Sequence, residues 1–164
     1  MKKHLLAVAA IALSLNGYAA DDAAWMRYCS ISPDGSTIAF TYKGDIYTVP
    51  SSGGRAFQLT TNDAHDTRPI WSPDGKRIAF ASDRLGGMDI YVVDKNGGVP
   101  VRLTTHSGNE TPLTFKDNEH VYFLANIMSS VEDVQMASSQ FPQVYEVSTS
   151  GGRPVMFSSL PMED

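Results

Sequence analysis

Two histidine–acid pairs are the first places to look for chemistry in this sequence: His65-Asp66, and His106 followed four residues later by Glu110. Both stand in equivalent stretches between similar segments, so two imidazoles and two carboxylates could meet on one rim, a set suited to metal ligation or acid–base work. Acids beside Thr and Pro in repeated sequence more commonly accept backbone N–H groups of a turn, and that is the expectation for Asp66 and Glu110. Asp83-Arg84 with Asp89 is expected to form a local salt bridge or turn cap across two strand ends. The Asp34-Gly35 and Asp74-Gly75 turns resemble calcium loops only faintly. Ser32, Asp34 and Ser36 do not supply the alternating oxygen ligands and distant bidentate glutamate of such a loop. Serines are plentiful, but there is no G-x-S-x-G elbow and no serine–base pairing. The sequence therefore assigns no catalytic, cofactor-binding or metal-ligating residue.

Three further side chains invite attention. Trp71 opens a predicted strand and is expected to pack in the core between blades with its indole N–H satisfied locally. Cys29 is the single cysteine, so it has no internal disulfide partner, and within a predicted strand it is expected to be a small buried apolar side chain. Phe141, in an inserted segment, is the better candidate for contact with a ligand.

The elements that must position these residues follow from a repeat. The segment ISPDGSTIAFTYKGDIYTVPSSGGRAFQLT, from Ile31, recurs as WSPDGKRIAFASDRLGGMDIYVVDKNGGVPVRLT from Trp71, a period of about forty residues. A degraded third copy reads TFKDNEHVYFLANIM from Thr114 and resumes as QVYEVSTSGGRPVMFS from Gln143, with Ser129 to Pro142 as an insertion. In each copy a short strand ends at Pro-Asp-Gly, where proline pre-sets one torsion and glycine takes the left-handed one. Arg77 to Ser82 alternates as a half-buried strand with Ile78 and Phe80 on one face, and Asp89 to Val93 does the same with Ile90 and Val92. Asn96-Gly97-Gly98 is predicted as a tight turn of the primed type, after which Val101 to Thr104 returns as the outermost strand. The first copy matches with Ile38 and Phe40, Ile46 and Tyr47, Gly53-Gly54, and Phe57 to Thr60. Glycine and proline every ten residues or so exclude helices.

Regular units of four short strands point to an all-β fold: a β-propeller of four-stranded antiparallel blades, about three of them present (25–61, 68–105 and 111–159), the ring incomplete. Three blades would leave apolar faces of the outer sheets in water, so the chain is expected to be part of a longer polypeptide with further blades, or else to self-associate as a homo-oligomer. The 164 residues, 42% hydrophobic and 19% charged, suffice for a packed core. A net charge of −5 excludes the basic face that nucleic acid requires. Residues 1–20 carry the pattern of a cleavable signal peptide: Lys2 and Lys3, an apolar run from Leu5 to Leu15, then the small residues Gly17, Ala19 and Ala20. A periplasmic or secreted destination is the expectation for a chain with such a cleaved leader.

The SPDG, IAF, SDR, DIYVV, GG and RLT elements, in that order, resemble the propeller repeat shared by TolB-like proteins and the N-terminal domains of tricorn-type proteases. Trp25-Met26-Arg27-Tyr28, the first repeat, THSGNETP and FPQVYEVSTSGGRP are together similar to the opening of exported bacterial tricorn-like peptidases of the C-terminal-processing serine class. The resemblance implies a propeller that gates or docks peptide or protein substrates for a serine peptidase domain, itself without catalytic residues or cofactors. A TolB-like protein-binding propeller and the propeller of a prolyl-oligopeptidase-like hydrolase are the alternatives. The third copy departs from the pattern at Lys116-Asp117-Asn118, which stands where Pro-Asp-Gly would.

Overall fold

The computed structural model describes residues 25–106, 108–126 and 142–157. The leader, Phe141 and most of the inserted segment lie outside them. Every regular element described is a β-strand or a single turn. Blade 1 consists of β1 (Arg27–Ile31), β2 (Thr37–Tyr42), β3 (Asp45–Pro50) and β4 (Phe57–Gln58). Blade 2 consists of β5 (Asp66–Trp71), β6 (Arg77–Ser82), β7 (Asp89–Asp94) and β8 (Val101–Arg102). Blade 3 follows with β9 (Thr111–Phe115), β10 (His120–Ala125), β11 (Gln143–Ser148) and β12 (Val155–Met156). Each sheet is an antiparallel meander in chain order. The first strands converge, β1 packing on β5 and β5 on β9, which sets them on the axial side of an arc that does not close.

The Pro-Asp-Gly turns are built by their side chains. In the first, Ser32 Oγ donates to Asp34 Oδ1 at 2.6 Å, the N–H of Ser36 donates to the same oxygen at 3.0 Å, and the N–H of Thr37 donates back to Ser32 Oγ at 2.9 Å. Gly35 takes φ +72°, the left-handed conformation that glycine reaches without a Cβ clash. Ser72 and Asp74 repeat the arrangement. The Gly-Gly segments differ from expectation. The N–H of Gly97 closes a turn onto Asp94 O at 2.9 Å, so the reversal is centred on Lys95 and Asn96, neither of which has positive φ. The primed hairpin belongs instead to Lys43-Gly44, with φ +50° and +94°.

The middle sheet is buried on both faces, which corrects the half-buried reading of β6 and β7. Ile78, Phe80, Tyr91 and Val93 pack toward Ala39 and Ile46 of blade 1. Ala79, Ile90, Val92 and Leu103 pack toward Phe115, Val121, Phe123, Tyr145 and Val147 of blade 3. Alternation still assigns the faces, but with a blade on each side both become interior. One aromatic pair recurs across the central strands of every blade: Phe40–Tyr47, Phe80–Tyr91 and Phe123–Tyr145, with ring centroids 5.9, 6.0 and 5.8 Å apart. These are directly opposed residues in the register, the geometry in which cross-strand rings stack.

Trp71 corrects a second expectation. Its indole N–H donates to Ser30 O of β1 at 3.1 Å, so the bond crosses to the preceding blade rather than closing locally. In blade 3, Asp117 takes the turn role, accepting the N–H of Glu119 at 2.7 Å. Asn118 turns outward to the neighbouring blade, where its Oδ1 accepts the N–H of Asp74 at 3.0 Å and its carbonyl accepts from Arg77. The departure from Pro-Asp-Gly thus provides an inter-blade tie.

Candidate functional site

The acids singled out in the sequence come to rest at the seams between blades. Thr60 and Thr104 are equivalent, their hydroxyls accepting the N–H of Ile46 at 3.0 Å and of Ile90 at 2.9 Å. The next blade enters beside each: the N–H of Asp66 donates to Gly44 O at 2.6 Å, and that of Glu110 to Met88 O at 2.8 Å. Both side chains are buried; for Asp66 the expected backbone N–H gives way to a guanidinium, whereas the N–H of Ile90 still helps to stabilise the charge of Glu110. Asp66 receives Arg84 Nη2 at 2.8 and 3.0 Å, and Glu110 receives the Thr104 hydroxyl.

The local set of Asp83, Arg84 and Asp89 is likewise redistributed. Arg84 reaches back along the hairpin to Asp66 because β5 and β6 bring Asp66 opposite Ser82. Asp83 accepts the N–H of His65 at 2.7 Å, and Asp89 faces Arg102, whose Nη2 is 2.8 Å from Oδ2. Arg84 also lies over the Tyr91 ring at 4.6 Å. His65 is exposed and His106 half-buried. Among the described residues no group of three or more His, Cys, Asp or Glu side chains converges as a metal site.

Burial sets the protonation of the seam acids. It pushes Glu110 up from 4.5 to about 7, opposed by the Thr104 bond and reinforced by the nearby charge of Asp89. Burial also raises Asp89, against the pull of Arg102, and raises Asp45, where the Asp66 charge adds to it. At the turns the opposite holds: hydrogen bonds from Ser32 and Ser36 lower Asp34 to about 2. Of these groups Glu110 alone bridges two blades, through the Thr104 hydroxyl, while Asp34, Asp45 and Asp89 are engaged within their own blades.

A different set of residues, not identified from the sequence, gathers on the converging edge. The register of β1 against β2 slips between Arg27 and Ser30, and that of β5 against β6 between Thr67 and Ile70. The extra residues include Tyr28 and Arg68, equivalent in the repeat, with φ +54° and +56°. In blade 3 the same bulge, without positive φ, leaves Leu113 unpaired and exposed. Bulges turn side chains out of the sheet and intensify its twist. Arg68 accordingly stacks on Tyr28, with Cζ 4.4 Å from the ring centroid. Cys29 shares the bulge and is exposed, not buried as expected, because β1 has a single neighbouring strand and the slip turns the thiol away from it. The signal that could have located this edge was the irregular spacing of apolar residues in each first strand. Chemically the edge offers a cation, a ring and an apolar side chain, a set fitted to binding.

Comparison with known proteins places this geometry in a family. Residues 23–163 match the tricorn protease N-terminal beta propeller domain. Dipeptidyl-peptidase 5 of Porphyromonas gingivalis is 42% identical over 109 residues, 60% of this chain and 16% of that protein. Tricorn protease homolog 1 of Streptomyces coelicolor is 35% identical over 58 residues, 35% of this chain and 5% of that protein. This chain thus spans a small part of the length of either relative. The solved structure of a putative TolB from Agrobacterium tumefaciens superposes with a TM-score of 0.64 at 22% identity, covering 80% of this chain and 48% of that one, a likeness of fold. The match over nearly all the described residues, together with three four-stranded blades in meander order, means that the chain belongs to the tricorn protease N-terminal β-propeller family.

Proposed function

We propose that this propeller docks and guides peptide substrates for a serine peptidase centre carried elsewhere in the protein, working in the periplasm or outside the cell after export. The observation that carries the reading is the family match over residues 23–163. The geometry supports it in one respect: the converging edge presents binding groups, while the buried acids are engaged by other side chains, Asp66 by Arg84 within blade 2 and Glu110 by Thr104 across the seam. The role is therefore recognition, and bond cleavage falls to other residues. The test is fluorescence polarisation of short unstructured peptides with the intact gene product. Saturable binding that a bulky maleimide on Cys29 blocks is the expected result, and absence of saturable binding would overturn the reading.

A second reading, a non-catalytic propeller that binds folded proteins, is favoured by the apolar residues exposed along the outer strands, Phe57, Val101, Val155 and Met156 among them. Beside Phe57, a cleft of about 490 Å³ lies between blades 1 and 2, lined also by Val49, Leu59, Trp71 and Lys95. Binding that is lost on Phe57→Ser and untouched by modification of Cys29 would favour it.

A further inference from the structure

The two seams between blades are not filled alike. Between blades 2 and 3 Arg77 spans the gap, donating to the Thr149 hydroxyl at 2.9 Å and to the carbonyl of Asn118. One seam earlier the repeat sets Thr37 where Arg77 stands and Lys95 where Thr149 stands. Thr37 is too short to cross, and its hydroxyl meets that of its neighbour Ser36 at 3.3 Å. Lys95 is exposed, and among the described residues its ammonium has no hydrogen bond or ion pair. The cleft of about 490 Å³ between blades 1 and 2 lies where the bridge would be.

Its walls are preset. The Trp71 ring is pinned by the bond to Ser30 O, Leu59 lies beside it, and Phe57 is 60% exposed at the mouth. Lys95 is the one charged residue lining the cleft, in a chain whose net charge is −5. Phe57 and Gln58 belong to β4, the outermost strand of blade 1, and an outer edge without a neighbouring strand is a template for an extended chain. The cleft sits at the end of the sheets that carries the Pro-Asp-Gly turns, whereas the Tyr28 and Arg68 bulges lie toward the other end.

We propose that this cleft recognises an extended segment of a partner protein that bears an apolar side chain and, two residues away, an acidic one. Side chains two apart in a strand share a face, so the first enters between Trp71 and Phe57 while the carboxylate of the second pairs with Lys95. The proposal rests on the protein-binding reading of this cleft and gives it a ligand chemistry; it is independent of peptide docking at the converging edge. A small apolar anion matches the ring and the cation but makes no use of the strand edge.

The experiment is fluorescence polarisation with the intact gene product, its Cys29 blocked by a bulky maleimide so that the converging edge takes no part. The probe is a labelled peptide of threonine and serine with one central Phe-Thr-Asp, beside controls carrying Ser-Thr-Asp and Phe-Thr-Asn. The serine control is expected to bind on the order of tenfold more weakly, as loss of a buried ring dictates. The asparagine control is expected to bind about threefold more weakly at low salt, a difference that high salt removes. Lys95→Glu should turn the preference against aspartate and bring a Phe-Thr-Lys peptide to the affinity that Phe-Thr-Asp has for the parent. Thr37→Arg combined with Lys95→Thr rebuilds the filled seam and is expected to abolish binding without lowering the midpoint of thermal unfolding, which separates a closed cleft from a misfolded chain. Equal binding of the aspartate and asparagine peptides, or a preference that survives Lys95→Glu, overturns the proposal and leaves the cleft as an apolar protein contact. Binding that withstands both Phe57→Ser and the paired substitution, or failure of every peptide to bind, overturns the proposal together with the protein-binding reading of the cleft.

Discussion

Glu110, which leads into blade 3, is anchored by the hydroxyl of Thr104 at the end of blade 2, and that hydroxyl simultaneously accepts the N–H of Ile90. One carboxylate oxygen is thereby satisfied; the other has no hydrogen-bond partner among the described residues. The seam between these blades is fastened through a group whose charge burial opposes.

A pH dependence follows. With the Glu110 carboxyl raised from 4.5 to about 7, the folded chain holds a proton between those values that the unfolded chain releases. Stability from this group is present in full below pH 4.5, falls as pH rises through the interval and is lost above 7, a change of about 3 kcal/mol. Denaturant unfolding at pH 5 and pH 8 measures it. Glu110→Gln is expected to flatten the difference and to be the more stable form at pH 8.

Asp66 and Arg84 behave differently, because the acid is fully buried and its charge is compensated at 2.8 Å. Arg84→Met leaves that carboxylate without its cation and is expected to cost about 3–5 kcal/mol. Asp66→Asn combined with Arg84→Met should cost less than Arg84→Met alone. A double-mutant cycle by chemical denaturation checks the coupling, and additive costs would mean that the pair contributes nothing as a pair.

Phe80 lies at the centre of a sheet covered on both sides, and its side chain is fully buried. Phe80→Ala is expected to destabilise by about 3–5 kcal/mol, the transfer cost of the ring plus that of the cavity it leaves. Val99→Ala, at an exposed loop position, should fall within about 0.5 kcal/mol of the parent. Thermal unfolding of the two variants separates them.

Gly98 has φ +124° with open space around its Cα. A methyl there would meet no neighbour, so the cost of Gly98→Ala is conformational, about 1 kcal/mol or more. The same substitution at Gly54, with φ +119° and equally open surroundings, should cost a similar amount.

At the first turn, Ser32→Ala removes the largest cause of the low Asp34 value, and the carboxyl should move from about 2 toward 3.8. Carboxyl titration by NMR reads this directly. Because a lowered acid stabilises the fold above its ordinary value and loses that contribution as pH falls, the variant should be less sensitive to acid than the parent between pH 4 and pH 2.

The local chemistry of the repeat was legible in the chain. Ser-Pro-Asp-Gly specifies a turn through bonds that close within five residues, and the alternation in Arg77 to Ser82 assigns Ile78 and Phe80 to one face because the period of a strand is two. The forty-residue period then dictates blades, since a sheet of four short strands cannot bury its faces alone. What the tertiary structure decided depends on residues far apart in sequence. Trp71 bonds to Ser30 and Arg77 to Asn118 across blades, and Arg84 finds Asp66 instead of its neighbour Asp89. The exposure of Cys29 and the stack of Arg68 on Tyr28 both arise from bulges on the converging edge, where a one-residue slip reverses which side of the sheet a side chain takes. Periodicity states which faces exist, but only packing one blade against the next determines which partners each face receives.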